Sequence, residues 1–261
     1  MHPALWISVT GLSAQNTDIS VVSNNLANVS TTGFKKGRAV FEDLLYQNIR
    51  QPGGQSTEST ELPSGLMLGM GVKTVATQKI HSQGTVINTE NQLDLAINGK
   101  GFFQVTRPDG STAYTRDGSF QLNNAGQIVT ANGYLMEPNI TLPSDTLSVT
   151  VGSDGVVSVM TPGSATSTQV GTIQLADFIN TAGLQAIGEN QYLETTASGS
   201  PLTGNPAQNG LGSLQQGSLE GSNVNVVEEL VKLIETQRAY EMNAKSVETV
   251  DGMLQYLSQT L

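Results

Sequence analysis

The amino-acid sequence predicts an α+β protein, with long N- and C-terminal helices that form a coiled-coil-like pair and a central antiparallel all-β domain. Both ends of the 261-residue chain repeat apolar residues at alternating intervals of three and four, the heptad spacing of helices that pack side by side. The middle holds short runs rich in Val, Ile, Thr and Phe. Asn-Gly and Asp-Gly dipeptides separate these runs, a pattern that favours strands joined by tight turns.

The C-terminal heptads are the longer of the two sets. Of their eleven positions, eight are apolar or aromatic, so most of the helix presents one apolar seam. The positions are Val226, Leu230, Leu233, Gln237, Tyr240, Ala244, Val247, Asp251, Leu254, Ser258 and Leu261. Asn225 can cap this helix, and Glu228 falls where the acid of a capping box belongs. Roughly 35 residues give a rod of roughly 50 Å, too long to be hidden by one compact domain of this size.

The N-terminal heptads match them and are expected to stop at Gly33, after a polar run. Their positions are Leu5, Val9, Leu12, Asn16, Ile19, Ser23 and Leu26. Both helices also carry apolar residues off the seam, so pairing them within one molecule would leave a second stripe exposed. We therefore expect a polymerisation interface with other molecules. Its expected residues are Leu5, Leu12, Ile19, Leu26, Leu230, Leu233, Tyr240, Val247, Leu254 and Leu261. The alternative is that the helices pack on the chain's own middle as ordinary core.

A connector rich in Gly, Pro and Ser follows the first helix. Such composition gives it little means of folding alone, so it is either a flexible linker or an extended arm ordered by a neighbour. Its apolar side chains favour the arm. These are Phe41, Leu44, Leu45, Met67, Leu68 and Met70.

The β pattern begins at Val72 and suggests an antiparallel sandwich or irregular barrel. The predicted strands are Val72–Thr77, Leu93–Ile97, Phe102–Thr106, Ser119–Leu122, Ile128–Ala131, Leu147–Val151, Val156–Met160 and Val170–Leu175. The hairpin dipeptides are Asn98-Gly99, Asp109-Gly110, Asp117-Gly118, Asn132-Gly133 and Asp154-Gly155. The chain is thus expected to divide into an N-terminal helix (1–32), a connector arm (33–71), a β-rich outer domain (72–223) and a C-terminal helix (224–261). The two helices would form one discontinuous inner domain.

The formal net charge of −10 is uneven along the chain. Residues 1–116 have a net charge of +1, whereas residues 117–231 contain ten acids and no Lys or Arg. A region without cations repels nucleic acid and anionic membranes, so no nucleic-acid partner is expected. No cleavable signal peptide is expected from the start of the sequence, and no run approaches 18 apolar residues.

The sequence offers little for catalysis. Cysteine is absent, and histidine occurs only as His2 and His81, so neither a thiol nor a Ser-His-Asp arrangement can be argued. Gly99-Lys100-Gly101 lacks the Walker ending and lies between strands, where it is expected to be a turn. Two of the carboxylates Asp94, Asp109 and Asp117 occupy Asp-Gly turns. The basic cluster Lys35, Lys36 and Arg38 is expected to be a solvated face, or a salt-bridge set to an acidic neighbour. No enzyme activity, cofactor or metal is predicted.

Several long stretches resemble one known family. Ser23 to Lys35 is similar to the signature of the bacterial flagellar rod and hook proteins. Ala39–Gln47, Asn223–Met253, Gly99–Phe103 and Tyr114–Phe120 resemble the distal rod members of that family in particular. The closest alternatives within the family are a hook subunit and a proximal rod subunit.

The resemblance implies a structural subunit that is exported unfolded through the flagellar type III apparatus, without signal cleavage. It implies helical polymerisation into the hollow distal rod, a drive shaft that spans the periplasm to the outer membrane and transmits torque to the hook. The implied partners are other copies of the chain, proximal rod subunits, hook or hook-junction subunits, and the peptidoglycan and outer-membrane ring proteins. The other hypotheses are a non-flagellar β-rich assembly protein, and a carboxylate-based hydrolase of peptidoglycan.

Overall fold

The computed structural model describes residues 3–53, 55–57, 60–61, 63–163 and 166–260. Two α-helices, α1 (Pro3–Ala27) and α2 (Val226–Thr260), flank a β-rich region that also holds one short 3₁₀ helix, Thr181–Gly183. The predicted α+β class is therefore confirmed. The strands are β1 (Gly37–Asp43), β2 (Tyr46–Arg50), β3 (Gln55–Thr57), β4 (Thr60–Glu61), β5 (Leu66–Gly69), β6 (Val72–Lys79), β7 (Val86–Asn88), β8 (Leu95–Asn98), β9 (Phe102–Thr106), β10 (Thr112–Thr115), β11 (Phe120–Leu122), β12 (Ile128–Thr130), β13 (Leu135–Glu137), β14 (Ser148–Val151), β15 (Val156–Met160), β16 (Thr168–Thr172), β17 (Leu175–Asp177), β18 (Gln185–Gly188), β19 (Gln191–Leu193), β20 (Leu202–Gly204), β21 (Ser213–Gln216) and β22 (Ser218–Glu220).

The chain folds as two compact units. The helical unit comprises Met1–Ala27, Gly37–Gln78 and Asn225–Leu261, and the β unit comprises Asn28–Lys36 and Lys79–Val224. Residues 28–32 therefore belong with the strands, and residues 72–78 belong with the helices. The four-segment division drawn from the sequence, with boundaries at 32/33, 71/72 and 223/224, stays a prediction.

The β unit is organised around β9. Among the described residues, nine strands form one sheet, in which β9 pairs antiparallel with β10, β13 and β17. Successive side chains of β9 alternate between two apolar clusters, as strand geometry requires. Phe103 and Val105 join the main core with Phe120, whereas Phe102 packs in a second cluster with Tyr192. The sequence predicted the bounds of β9 and β15 correctly, because both are rich in β-branched or aromatic residues and are followed closely by a proline.

Only some of the predicted hairpin turns join paired strands. Asp109-Gly110 lies between β9 and β10, Asn132-Gly133 between β12 and β13, and Asp154-Gly155 between β14 and β15. The prediction is wrong for Asn98-Gly99 and Asp117-Gly118, which connect strands that pair elsewhere. Asp117 instead accepts hydrogen bonds from the backbone and hydroxyl of Ser119, a local turn that needs no hairpin.

Two long-range pairings close the β unit. Strand β21 pairs with β8, and β22 pairs with β7, both antiparallel. Through these ladders, residues 213–220 near the end of the unit lie beside residues 86–98 nearer its start. Residues far apart in sequence can therefore meet beside Glu220.

The connector is ordered as short β pairs. Strand β2 pairs antiparallel with β5, and β3 pairs antiparallel with β4, while β1 pairs with β6. The sequence left open a linker or an extended arm, and its Gly and Pro content hid the strands. The backbone ladder supplies the hydrogen bonds that the composition alone could not predict.

The first helix ends just after its last heptad position, Leu26, and before the predicted stop at Gly33. It stops at Ala27, and the polar run before Gly33 forms turns, so the predicted stop is wrong by several residues. Asn25, which is buried, explains the exit: its Nδ2 donates to Gly37 O and its Oδ1 accepts from Gly37 N, both at 2.8 Å. The same Nδ2 donates to Glu229 Oε2 of α2 at 3.1 Å. At the start of α2, Val227 N donates to Asn225 Oδ1 at 3.0 Å, which confirms the predicted cap.

The Asn25 contacts generate a first prediction. Asn25→Ala leaves the Gly37 backbone groups and the Glu229 carboxylate without their partner, and should lower the free energy of unfolding of the helical unit by about 2 kcal/mol. Urea unfolding followed by the fluorescence of Trp6, the chain's only tryptophan, measures this. Asn16→Ala, at an exposed position of the same helix, is the control and should change little. Equal effects of the two variants would contradict the assigned role of Asn25.

Candidate assembly surface

The two terminal helices contact each other through polar and small residues. Lys232 Nζ donates to Asp18 Oδ1 at 2.8 Å, and Thr236 Oγ1 donates to Asp18 Oδ2 at 3.3 Å. Further towards the C-terminal end of α2, Asn243 Nδ2 donates to Gln15 Oε1 of α1 at 3.2 Å. Apolar seams of a coiled coil do not use such pairs at their centre. Polar pairs therefore form part of the contact between α1 and α2, and we call their residues the polar face.

Side-chain burial places this polar face beside the predicted seam. The buried residues of α1 include Ala14, Asp18 and Val22, and those of α2 are Glu229 and Thr236. Gly11 allows a close approach, since a Cβ added there would lie 3.1 Å from Asn243 Nδ2. Buried residues such as Asp18, Val22 and Thr236 each come one residue before a predicted heptad position. The predicted seam is therefore rotated partly towards solvent.

The predicted interface residues accordingly divide between half-buried and exposed positions. Leu5, Leu12, Ile19, Leu26, Leu233 and Val247 are half-buried. Leu230, Tyr240 and Leu254 are exposed, at 42%, 41% and 41% of their surface. Leu261 lies outside the described residues. The interface itself stays a prediction, because exposure does not name a partner.

An apolar stripe runs along the helices outside the polar face. We call it the outer stripe, and its exposed members are Trp6, Ile7, Val9, Val226, Val227, Leu230, Val231, Ile234, Tyr240, Met242, Met253, Leu254 and Tyr256. Large exposed apolar surfaces often mark interaction sites. That these residues meet a partner stays a prediction.

The connector adds further exposed apolar residues to the same unit. Leu45 is 90% exposed, and Phe41, Met67 and Leu68 are also exposed, whereas Leu44 and Met70 are half-buried. The strands β2 and β5 thus form a ribbon whose side chains have no core of their own. A groove of about 380 Å³ lies in the helical unit, lined in part by Gly11, Ala14, Phe41, Val72 and Ala239. Its other lining residues are Gln15, Asp18, Lys232, Glu235 and Thr236, so the groove combines small or apolar walls with polar and charged groups.

The β unit contains a buried ion cluster that the sequence patterns did not predict. Lys35 Nζ lies 2.6 Å from Glu220 Oε1, and Arg116 Nε lies 2.9 Å from Glu220 Oε2. All three side chains are at least 96% buried. Arg116 also donates to Gly101 O at 2.6 Å and to Gly99 O at 2.7 Å. The expectation of a solvated face at Lys35 is wrong, because its charge is paired inside the same chain.

The flanking backbone holds Lys35 in place. Gly33 N donates to Glu220 O at 2.8 Å, and Gly33 has φ of +69°, where a Cβ would lie 2.6 Å from Asp117 N. Glycine is therefore required at this turn. The signal was present in the sequence, since Gly33, Phe34 and Lys35 end the family signature. Their sequence gave no hint of the partner, which comes 185 residues later.

His81 lies between this ion cluster and the second apolar cluster. Its ring packs edgewise on Phe102 and Tyr192, at centroid distances of 5.4 and 5.2 Å. Neither ring nitrogen has a hydrogen-bond partner among the described residues. Burial, with smaller effects from Lys35 and other nearby cations, lowers the pKa of His81 to about 4. The folded protein therefore holds a neutral imidazole at neutral pH.

The described residues contain no group of three or more His, Cys, Asp or Glu side chains that could hold a metal ion. None of the described helices has the length and apolar content of a membrane span.

Three family models match separate parts of the chain. Residues 5–35 match the model described as flagella basal body rod protein. Residues 96–159 match the flagellar hook protein FlgE/F/G D1 domain, and residues 215–260 match the flagellar basal body rod FlgEFG protein C-terminal model. The matches cover both helices and the core of the β unit.

Full-length relatives agree with these models. The chain is similar to flagellar basal-body rod protein FlgG of Buchnera aphidicola subsp. Schizaphis graminum, with 56% identity over 99% of this chain and 100% of the relative. It is 47% identical to the protein of the same name from Caulobacter vibrioides, over 98% of each chain. The FlgG protein of Bacillus subtilis is 38% identical, also over 98% of each chain.

The ion cluster generates a second prediction. Lys35→Met should lower the free energy of unfolding of the β unit by about 3 kcal/mol, because Glu220 and Arg116 stay buried with one partner missing. Near-UV circular dichroism of buried tyrosines such as Tyr114 follows that unfolding. Lys73→Met is the matched control, since its pair with Glu42 is more than half exposed and should contribute less than about 1 kcal/mol. A loss no larger than that of the control would contradict the role of the cluster.

The environment of His81 generates a third prediction. Its folded pKa lies below the unfolded value of about 6.5, so its contribution to stability is complete above that value and is lost as pH falls toward 4. The free energy of unfolding should fall by about 1 kcal/mol between about pH 7 and pH 5.5 through this group alone. Urea unfolding at a series of pH values measures it. His81→Gln should flatten the profile relative to wild type, whereas His2→Gln should not. Identical profiles for all three proteins would rule out His81 as the source.

Proposed function

Since this chain belongs to the family of flagellar basal-body rod proteins, we propose that it is a structural subunit of the distal rod, which links the basal body to the hook. It is located in the flagellar basal body and assembles there with other flagellar proteins. Its activity is mechanical: it forms part of a shaft that transmits torque, and it catalyses no reaction and needs no cofactor.

The outer stripe carries this proposal. The helices pair polar groups through Asp18, Lys232 and Thr236, and many of their large apolar residues stay exposed. Burial of apolar surface contributes about 25 cal/mol per Å², so covering the stripe supplies a strong driving force for association. The polar contact sets the relation of α1 to α2, while the stripe is left for a partner.

The partner is a second copy of the chain, and the contact repeats. Because the stripe and the groove beside Gly11 are different surfaces, one copy can present the first while another presents the second. Contacts between unlike surfaces that do not close on themselves build helical filaments. In the assembled rod the helices of neighbouring copies pack in a coiled-coil-like layer around a channel, and the β units face outward.

The connector arm extends the contact. Leu45, Met67 and Leu68 lie across neighbouring copies and stiffen the tube, which would explain why a ribbon exposes them. The ends of the rod meet proximal rod subunits and hook or hook-junction subunits. Its sides pass through the peptidoglycan and outer-membrane rings between the periplasm and the outer membrane. The chain reaches this place unfolded through the type III export apparatus, without loss of a signal peptide.

Substitution on the outer stripe tests the proposal. Leu230→Asp and Leu254→Asp place a charge where apolar surface must be buried, and should abolish assembly while both units stay folded. Negative-stain electron microscopy of concentrated protein should show hollow tubes for the wild type and for neither leucine variant. Gln121→Asp adds the same charge at an exposed position of β11, outside the helical unit, and should still assemble. Tubes from both leucine variants would contradict the role of the stripe, and wild-type protein that forms no polymer at any concentration would contradict the rod subunit itself.

A further inference from the structure

The chain contains three Asn-Gly dipeptides, each with an exposed asparagine: Asn98-Gly99, Asn132-Gly133 and Asn209-Gly210. Asn-Gly can deamidate without an enzyme. The glycine backbone nitrogen attacks the asparagine Cγ and forms a new N–C bond, and its proton leaves with the side-chain amide as ammonia. Water then opens the five-membered succinimide at either of its two C–N bonds. One opening gives aspartate, and the other gives isoaspartate, in which the main chain runs through the side chain.

The reaction requires the glycine nitrogen to turn towards its neighbour's side chain. A glycine N–H that donates a hydrogen bond must first break it, and a locked turn must first open. Since all three asparagines are exposed, exposure does not distinguish them. The environment of each glycine does.

Asn98-Gly99 is held on several sides. Gly99 N donates to Gln83 Oε1 at 3.0 Å, and Gly99 O accepts from Arg116 Nη2 at 2.7 Å. A Cβ at Gly99 would lie 2.9 Å from the Cα of Gly212, so the backbone has no room to rotate. The dipeptide is therefore protected in the folded protein.

Asn132-Gly133 is held by its hairpin. Gly133 N donates to Thr130 O at 2.8 Å, and Thr130 N donates to Tyr134 O at 2.9 Å. The turn is thus closed by the same hydrogen bonds that pair β12 with β13. Attack by Gly133 N requires that the hairpin open.

Asn209-Gly210 lacks this protection. Among the described residues, Gly210 N–H has no hydrogen-bond acceptor, and no atom lies within 4 Å of the position of a Cβ on Gly210. The backbone is in the left-handed region at Ala207, Asn209 and Gly210, with φ of 60°, 52° and 81°. Asn tolerates this conformation, whereas Ala207 adopts it at an energetic cost. Leu211 N donates to Gln208 O at 2.9 Å and closes the turn, but this bond does not hold Gly210 N.

We propose that Asn209 is a site of spontaneous deamidation in the folded protein, with water as the co-reactant. The product carries one additional carboxylate, within a stretch, residues 117–231, that has no Lys or Arg to neutralise it. The base of the loop stays in place, because Gly212 N donates to Lys100 O at 2.7 Å and Ala207 N donates to Gly212 O at 3.0 Å. Ageing therefore changes the charge of the surface without unfolding the β unit.

Peptide mapping of the aged full-length protein tests the proposal. The folded protein is incubated in mildly alkaline buffer and cleaved after Lys, Arg and Glu. Glu137 precedes Pro138 and is not cleaved, so Asn98, Asn132 and Asn209 lie in peptides 91–100, 117–189 and 195–220. Mass spectrometry measures deamidation, and enzymatic methylation of isoaspartate identifies the second product. Peptide 195–220 should react about fivefold faster than the other two, because a backbone hydrogen bond of ordinary net strength opposes the reaction at Gly99 and Gly133.

Two controls separate the fold from the local sequence. In urea the three dipeptides should react at comparable rates, since none keeps its hydrogen bonds. In the folded protein, Asn209→Gln should remove most of the acidic form seen by isoelectric focusing, whereas Asn132→Gln should not. The proposal is overturned if Asn98 or Asn132 reacts as fast as Asn209 in the folded protein, or if Asn209→Gln accumulates acidic forms at the wild-type rate. A preference for Asn209 that persists unchanged in urea would show that flanking residues, and not the fold, select it.

Discussion

Closure of the β unit depends on one carboxylate. Glu220 comes from β22, and it accepts contacts from Lys35 and Arg116 as well as from Gly84 N at 2.8 Å. Burying these charges costs solvation, which is offset only when every polar atom finds a partner. Lys35 also donates to the carbonyl group of Ser82, and Arg116 donates to those of Gly99 and Gly101. The cluster therefore joins the residues that follow α1 to those that precede α2, and completes the unit with segments from both ends of the chain.

The helical unit reverses the usual arrangement of a helix pair. Its inward face holds the polar residues Asp18 and Thr236 beside Val22, whereas Leu230, Tyr240 and Leu254 are exposed. Polar contacts give direction and register at little net gain in stability, and apolar burial gives the larger free energy. A subunit arranged in this way keeps its strongest interactions for association. That arrangement suits a chain whose relatives are named basal-body rod proteins.

One dipeptide serves different purposes in this fold. Asn132-Gly133 closes a hairpin as the sequence predicts. In Asn98-Gly99, the glycine carbonyl accepts a hydrogen bond from Arg116. Asn209-Gly210 forms a loop tip whose glycine amide has no acceptor among the described residues. The preference of Asn and Gly for positive φ explains why they occur at turns. That preference does not tell which glycine amides donate a hydrogen bond, and this hydrogen bond decides how well the dipeptide resists deamidation.

Local patterns in the sequence determined the class of the fold, the two helices, several strands and the family. Heptad spacing, β-branched runs and the signature from Ser23 to Lys35 all act over a few residues, so they can be read without knowledge of the partners. Tertiary structure alone decided which side of each helix faces inward, because a displacement of one residue on a helix turns the side chain by about 100°. It also decided that Lys35 is buried with Glu220, that the connector is a ribbon, and that residues 28–36 complete the β unit. Each of these depends on groups far apart along the chain, whose meeting is set by packing and by the need to pair buried charge.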